Sequence, residues 1–169
     1  AILVAALGYF VDVFDIWLYS SVRKQSLLAL GVPESDLMRV GENLLNWQMF
    51  GFILGAIIFG VIADKRGRLT VLFGSIITYS LANLANGFVT DIPAYAVCRF
   101  VAGIGLAGEL GAGIALVSEL VSTARRGWAT TFVATVGVSG SVAAPLVAKA
   151  VDWRIAYFIG GGMGLALLL

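Results

Sequence analysis

The chain contains no histidine, a single cysteine (Cys98) and three prolines in 169 residues. Without histidine, the usual zinc site and the Ser/His and Cys/His catalytic arrangements are unavailable. One cysteine cannot close an intrachain disulfide. Charge is scarce as well: Asp, Glu, Lys and Arg make up 12% of the residues, whereas a soluble domain uses about a quarter to cover itself with water-compatible surface. The net charge of +1 excludes a nucleic-acid reader, and no nucleophile–base or metal constellation is present. We therefore expect no enzyme, no cofactor, no metal and no nucleic-acid partner.

What fills the space is apolar. Hydrophobic residues are 60% of the chain and the mean hydropathy is +0.97. Breaking the sequence at charge and turn clusters leaves six apolar stretches, 2–22, 44–63, 69–89, 92–120, 128–148 and 155–169. Each is near the ~20 residues that cross a ~30 Å hydrocarbon core as a helix. Helices are required because unpaired backbone groups are not tolerated in lipid, and the stretches lack the alternation of a barrel strand. The long first loop, 23–43, is expected to extend its flanking helices, and the turn at 65–68 to need Gly67. Trp17, Trp47, Trp128 and Trp153 fall near segment ends, as in an interfacial aromatic belt. Ala1 already lies inside an apolar run and Leu167-Leu168-Leu169 ends in one, so a longer protein is expected; Asp12 and Asp15 argue against a cleaved signal peptide. The tight basic clusters Lys65-Arg66/Arg68 and Arg125-Arg126 favour the cytoplasmic side for the second and fourth loops.

Against that background a few residues stand out. Segment 95–124 carries Arg99 and Glu109 among the glycines 103, 105, 108, 111 and 113. A charge at the centre of a bilayer costs roughly 2.5–3.5 kcal/mol on insertion scales, so such residues face protein or water and mark solute and proton routes. Asp12 and Asp15, three apart in the first stretch, share a helical face. No other helix interior is charged. Gly51, Gly55 and Gly60 form a small-residue face for close helix packing, and Gly103 and Gly105 do the same in the fourth helix. At Gly103, leucine is expected to abolish function and alanine to be partly tolerated. Asp64 ends the second helix, where the macrodipole is already negative, and should seek a basic partner.

The run Gly60-Val-Ile-Ala-Asp64-Lys65-Arg66-Gly67-Arg68 resembles the signature between helices two and three of the major facilitator superfamily. Arg99-x-x-x-Gly103-x-Gly105 is similar to that superfamily's fourth-helix pattern. Ser118-Glu119, followed by Arg125-Arg126-Gly127, resembles the loop after helix four in its sugar-porter and organic-ion branches. Asp12-Val13-Phe14-Asp15 looks like the Asp-Gly-Phe/Tyr-Asp signature of aromatic-acid/proton symporters, with valine in place of glycine. Gly108-Glu109 is similar to the Gly-Gly-Glu of metabolite/proton symporters, with Ala107 in place of the first glycine. The branch stays open.

The resemblance implies an all-α integral membrane fold: six transmembrane helices built as two inverted three-helix repeats, the N-terminal half of a twelve-helix transporter. It implies a multi-pass protein of the bacterial inner membrane, whose partners are lipid, a small-molecule substrate, protons and the C-terminal six-helix half. The expected activity is proton-coupled symport of a small organic solute, with an organic anion favoured. A uniporter and a transporter-like sensor or scaffold are the alternatives. Asp12, Asp15, Arg99 and Glu109 are the expected substrate- and proton-binding residues. Gly60, Asp64, Arg68, Glu119 and Arg126 are the expected cytoplasmic gate, and Gly51, Gly55, Gly103 and Gly105 the expected packing positions.

Overall fold

In a computed structural model the chain is described over residues 2–120 and 126–168, excepting the side chains of 4, 5, 110–120 and 126. Six α-helices follow one another: α1 (Ile2–Ala29), α2 (Leu37–Arg66), α3 (Arg68–Asn86), α4 (Ile92–Leu120), α5 (Arg126–Ala150) and α6 (Trp153–Ala166). Each apolar stretch lies within or largely overlaps one helix. As expected, α1 and α2 run on into the first loop, which shrinks to 30–36 and holds one 3-10 turn, Glu34–Asp36. The α2–α3 connection is the single residue Gly67, at φ +87 and ψ 154, a conformation open in practice only to glycine. Its N–H donates to the Ala63 carbonyl at 3.0 Å and closes the end of α2. Helix α5 continues through Pro145.

The packing pattern repeats itself. Helix α1 lies against α5 and α6, while α4 lies against α2 and α3, and α3 meets α6. Exchanging the first three helices for the last three maps α1–α5 onto α4–α2, α1–α6 onto α4–α3, and α3–α6 onto itself. Two three-helix repeats produce this relation, and it gives α1 and α4 equivalent central places. Four helices among the described residues are long and apolar enough to cross a membrane by length and composition. The other two are α1, with Asp12 and Asp15 in its interior, and α6, which spans 14 residues.

Glycine sets how closely α2 and α4 approach. A Cβ at Gly51 would collide with the Phe100 carbonyl, one at Gly55 would stand 2.5 Å from the Ile104 carbonyl oxygen, and one at Gly103 would collide with the Gln48 carbonyl. Gly105 brings α4 onto the backbone of Tyr79 in α3, where a Cβ would stand 2.5 Å from the amide nitrogen. These are backbone-to-backbone contacts, so the alanine tolerance expected at Gly103 is not supported by the geometry. Gly60 departs from the expected packing face, because a Cβ there meets nothing within 4 Å among the described residues. The four tryptophans divide by burial. Trp17, Trp47 and Trp128 are exposed, but Trp153 is buried against Tyr95 and Tyr157 in the main core, so it is a packing residue.

Candidate functional site

The glycine seam between α2 and α4 carries Gln48 to Arg99. One turn before Gly103, Arg99 points into the space between α1, α2 and α4, where every polar group must find its partner within the protein. Its Nη2 donates to Asp15 Oδ2 at 2.8 Å and to Gln48 Oε1 at 2.6 Å, and its Nη1 donates to Asp15 Oδ1 at 3.3 Å. Gln48 Nε2 in turn donates to Asp15 Oδ2 at 3.0 Å. Three helices thus close a hydrogen-bonded ring around one ion pair, and Asp15, Gln48 and Arg99 are all completely buried. The planar guanidinium suits this place, since its fork engages both carboxylate oxygens and the amide together.

Aromatic rings complete the enclosure. The guanidinium carbon stands 4.8 Å from the Tyr19 ring centre and 5.8 Å from that of Tyr157. The Tyr157 and Tyr95 hydroxyls share a hydrogen bond of 2.6 Å, and Tyr95 continues to Ser26 Oγ at 3.3 Å. Tyr19 donates to the Gly41 carbonyl at 2.7 Å, tying α1 to α2. Of the three guanidinium nitrogens of Arg99, Nε has no partner among the described residues.

Asp12 and Glu109 are arranged otherwise. Both are buried, they face one another across the α1–α4 contact, and among the described residues none of their four carboxyl oxygens has a hydrogen-bond donor. Glu109 also lies against Gly8, where a Cβ would stand 2.6 Å from its Oε1. The structure therefore divides the four expected charged residues into a satisfied pair, Asp15 with Arg99, and an unsatisfied one, Asp12 with Glu109. Asp12 and Asp15 do share a face, but each meets a different partner on α4.

At the far end of the bundle, Asp64 is exposed at the close of α2 and Arg68 is half-buried at the start of α3. The side chains of Glu119 and Arg126 lie outside the described residues, so the expected meeting of these four is not described. Gly60 stands one turn before Asp64 with open space beside it. Gln48, Tyr19, Tyr95 and Tyr157 are the site residues that sequence reasoning passed over. Gln48 carried a usable signal, as a side-chain amide deep in an apolar stretch. The tyrosines carried none, because buried aromatic residues are ordinary core.

Known proteins resemble this chain in sequence and in fold. The chain is 33% identical over 168 residues to a putative metabolite transport protein of Haemophilus influenzae, covering 95% of this chain and 39% of that protein. It is 30% identical over 144 residues to a putative niacin/nicotinamide transporter, NiaP, of Bacillus subtilis, covering 85% of this chain and 35% of the relative. Among solved structures, the proton:xylose symporter XylE superposes with a TM-score of 0.86 at 16% identity, over 99% of this chain and 42% of the symporter, which shows a shared fold. The chain spans well under half the length of these relatives. The family described as Major Facilitator Superfamily matches residues 5–169, and with six helices in two matching triplets around a buried arginine–carboxylate pair, this chain belongs to that superfamily as a multi-pass membrane protein.

Proposed function

We propose that this chain is the N-terminal half of a secondary transporter of the bacterial inner membrane that moves a small organic anion together with protons by alternating access. The observation that carries this reading is the completely buried Arg99–Asp15–Gln48 ring, which joins the central helices of both repeats. A ring that joins α1, α2 and α4 ties the binding group to the same helices that must rock when access alternates. The proposed cycle begins when the carboxylate of a substrate takes the place of Asp15 on the Arg99 fork. The displaced carboxylate and the acids beside it then govern proton uptake, so that charge in the cavity stays balanced.

The proposed partner is a second six-helix half. The apolar windows of α2 and α5 are only 17% buried within this chain, against 50% for α3 and α4. Exposed Phe50, Ile53, Ile57, Val138, Val142 and Leu146 line those two helices and require lipid or protein cover. At the cytoplasmic side, Asp64, Arg68, Glu119 and Arg126, with Gly60 giving room for approach, are proposed as a charge latch that holds the inner helix ends while the outer side is open.

The choice of an anion rests on Arg99 and on the names of relatives, which include a gentisate transporter of Corynebacterium glutamicum and a 3-(3-hydroxy-phenyl)propionate transporter of Escherichia coli. The test is uptake by the complete transporter in proteoliposomes, offered nicotinate, gentisate and 3-(3-hydroxyphenyl)propionate in turn. Counterflow of one of them, with accumulation when the outside is made acidic, is expected. Counterflow without pH-driven accumulation would make the protein a uniporter, and no flux of any anion would leave a sensor or scaffold.

A further inference from the structure

We propose that Asp12 and Glu109 form a carboxyl pair that holds a single proton between them and is the boarding site of the coupled proton, separate from the Arg99–Asp15 ring that receives the substrate. This deepens the transport reading and rests on it.

The argument begins with hydrogen-bond supply. The Arg99 fork and the Gln48 amide are both spent on Asp15. Asp12 and Glu109, each more than nine-tenths buried, lie in contact with one another, and no donor among the described residues reaches any of their oxygens. Two ionised carboxylates in contact within an apolar interior repel strongly, and each would lack the donors that stabilise its charge. One proton resolves both problems. A protonated carboxyl is a donor, so a single proton makes one acid–acid hydrogen bond and leaves the pair with one negative charge.

A second observation comes from α3. The Tyr79 ring is fully buried and its hydroxyl has no partner among the described residues, although it lies within the electrostatic reach of Asp12, Asp15 and Glu109. It is a donor held in reserve beside the acids. When the shared proton leaves, the Tyr79 hydroxyl is a neutral group able to turn toward the remaining charge.

A third observation is the shape of the pocket. Glu109 reaches α1 only because residue 8 is glycine, one helical turn before Asp12. Any side chain at that position would push the Glu109 carboxyl out of the place it now fills.

The charges beside the pair, among the described residues, are those of the Arg99–Asp15 ring. From α4 the pair is faced by Glu109 itself and, nearer the ring, by Arg99. From α3 it is faced by Tyr79, and on α1 Asp15 is one turn away. Helix α6 contributes Tyr157, which stands over Arg99. Residues 43–63 of α2 and 127–148 of α5 carry no ionisable side chain.

The direct test needs no substrate. Infrared spectra of the purified complete transporter, recorded at neutral pH in H2O and in D2O, should contain a carbonyl band of a protonated, buried carboxyl that shifts with the isotope. Asp12→Asn and Glu109→Gln should each alter that band, and the double variant should abolish it. Gly8→Ala keeps both carboxyls and should shift the band by displacing Glu109. Absence of the band from the wild type, its survival in the double variant, or its removal by sodium at constant pH would overturn the proposal. In proteoliposomes, proton flux accompanying the transported anion should fall to background in both single variants. Undiminished proton flux in both would defeat this assignment alone, whereas a wild type that moves anion without protons would defeat the coupling reading while leaving the infrared result intact.

Discussion

Arg99 Nη2 lies 2.8 Å from Asp15 Oδ2, and neither side chain has any surface open to solvent. The residues are 84 apart in sequence and join the first helix of one repeat to the first helix of the other. Removing one member of such a pair leaves an uncompensated buried charge, at a cost of about 3–5 kcal/mol, whereas removing both costs less. Asp15→Asn and Arg99→Gln should each lower the melting temperature of the detergent-solubilised transporter sharply. The double variant should recover part of the loss while remaining inactive. A double variant less stable than either single one would show that the pair does not act as a unit.

Arginine is specified here by its fork. Arg99 engages both Asp15 oxygens and Gln48 Oε1, and it lies beside the rings of Tyr19 and Tyr157. A lysine ammonium keeps the charge but is a compact point donor without the planar geometry. Arg99→Lys should fold and should lose anion transport almost as completely as Arg99→Gln. Counterflow assays compare the two, and wild-type flux in the lysine variant would reduce the role of Arg99 to charge alone.

The glycine seam makes a graded prediction. Alanine at Gly51 or Gly103 must displace a backbone carbonyl of the facing helix, and overpacking of this kind costs about 1–3 kcal/mol. Gly60→Ala meets open space and should be close to neutral for stability. Thermal melts of the three variants test this order. Because the seam also places Gln48 beside Arg99, Gly103→Ala should impair transport as well as folding.

The turn at Gly67 and the acid beside it separate by function. Gly67→Ala forces a side chain into a glycine-only backbone region, with strain of about 1–3 kcal/mol, and should lower stability. Asp64→Asn changes no backbone and should leave expression and binding from the outer side near wild type while slowing the transport cycle. Binding and turnover measured on the same preparation distinguish the two effects. Normal turnover in Asp64→Asn would remove the latch.

Composition and spacing alone determined the class of the molecule. Sparse charge and stretches near the length of a bilayer leave helices as the only way to satisfy the backbone, and Gly67 marked a turn because few other residues tolerate its conformation. The intramembrane charges announced themselves by their cost, so Asp12, Asp15, Arg99 and Glu109 could be picked out from the sequence. Their pairing could not. Asp12 and Asp15 differ by three residues on one helix, and which of them meets Arg99 depends on the depth and rotation of α1 against α4, set by glycines on several helices. Gly60 belongs to the same spacing as Gly51 and Gly55 but faces open space, because the register of α2 and α4 carries the seam past it. Gln48 and the three tyrosines joined the site for the same reason. Sequence fixes a side chain's chemistry and the face of its own helix, whereas the neighbour it meets is decided only when the helices close on one another.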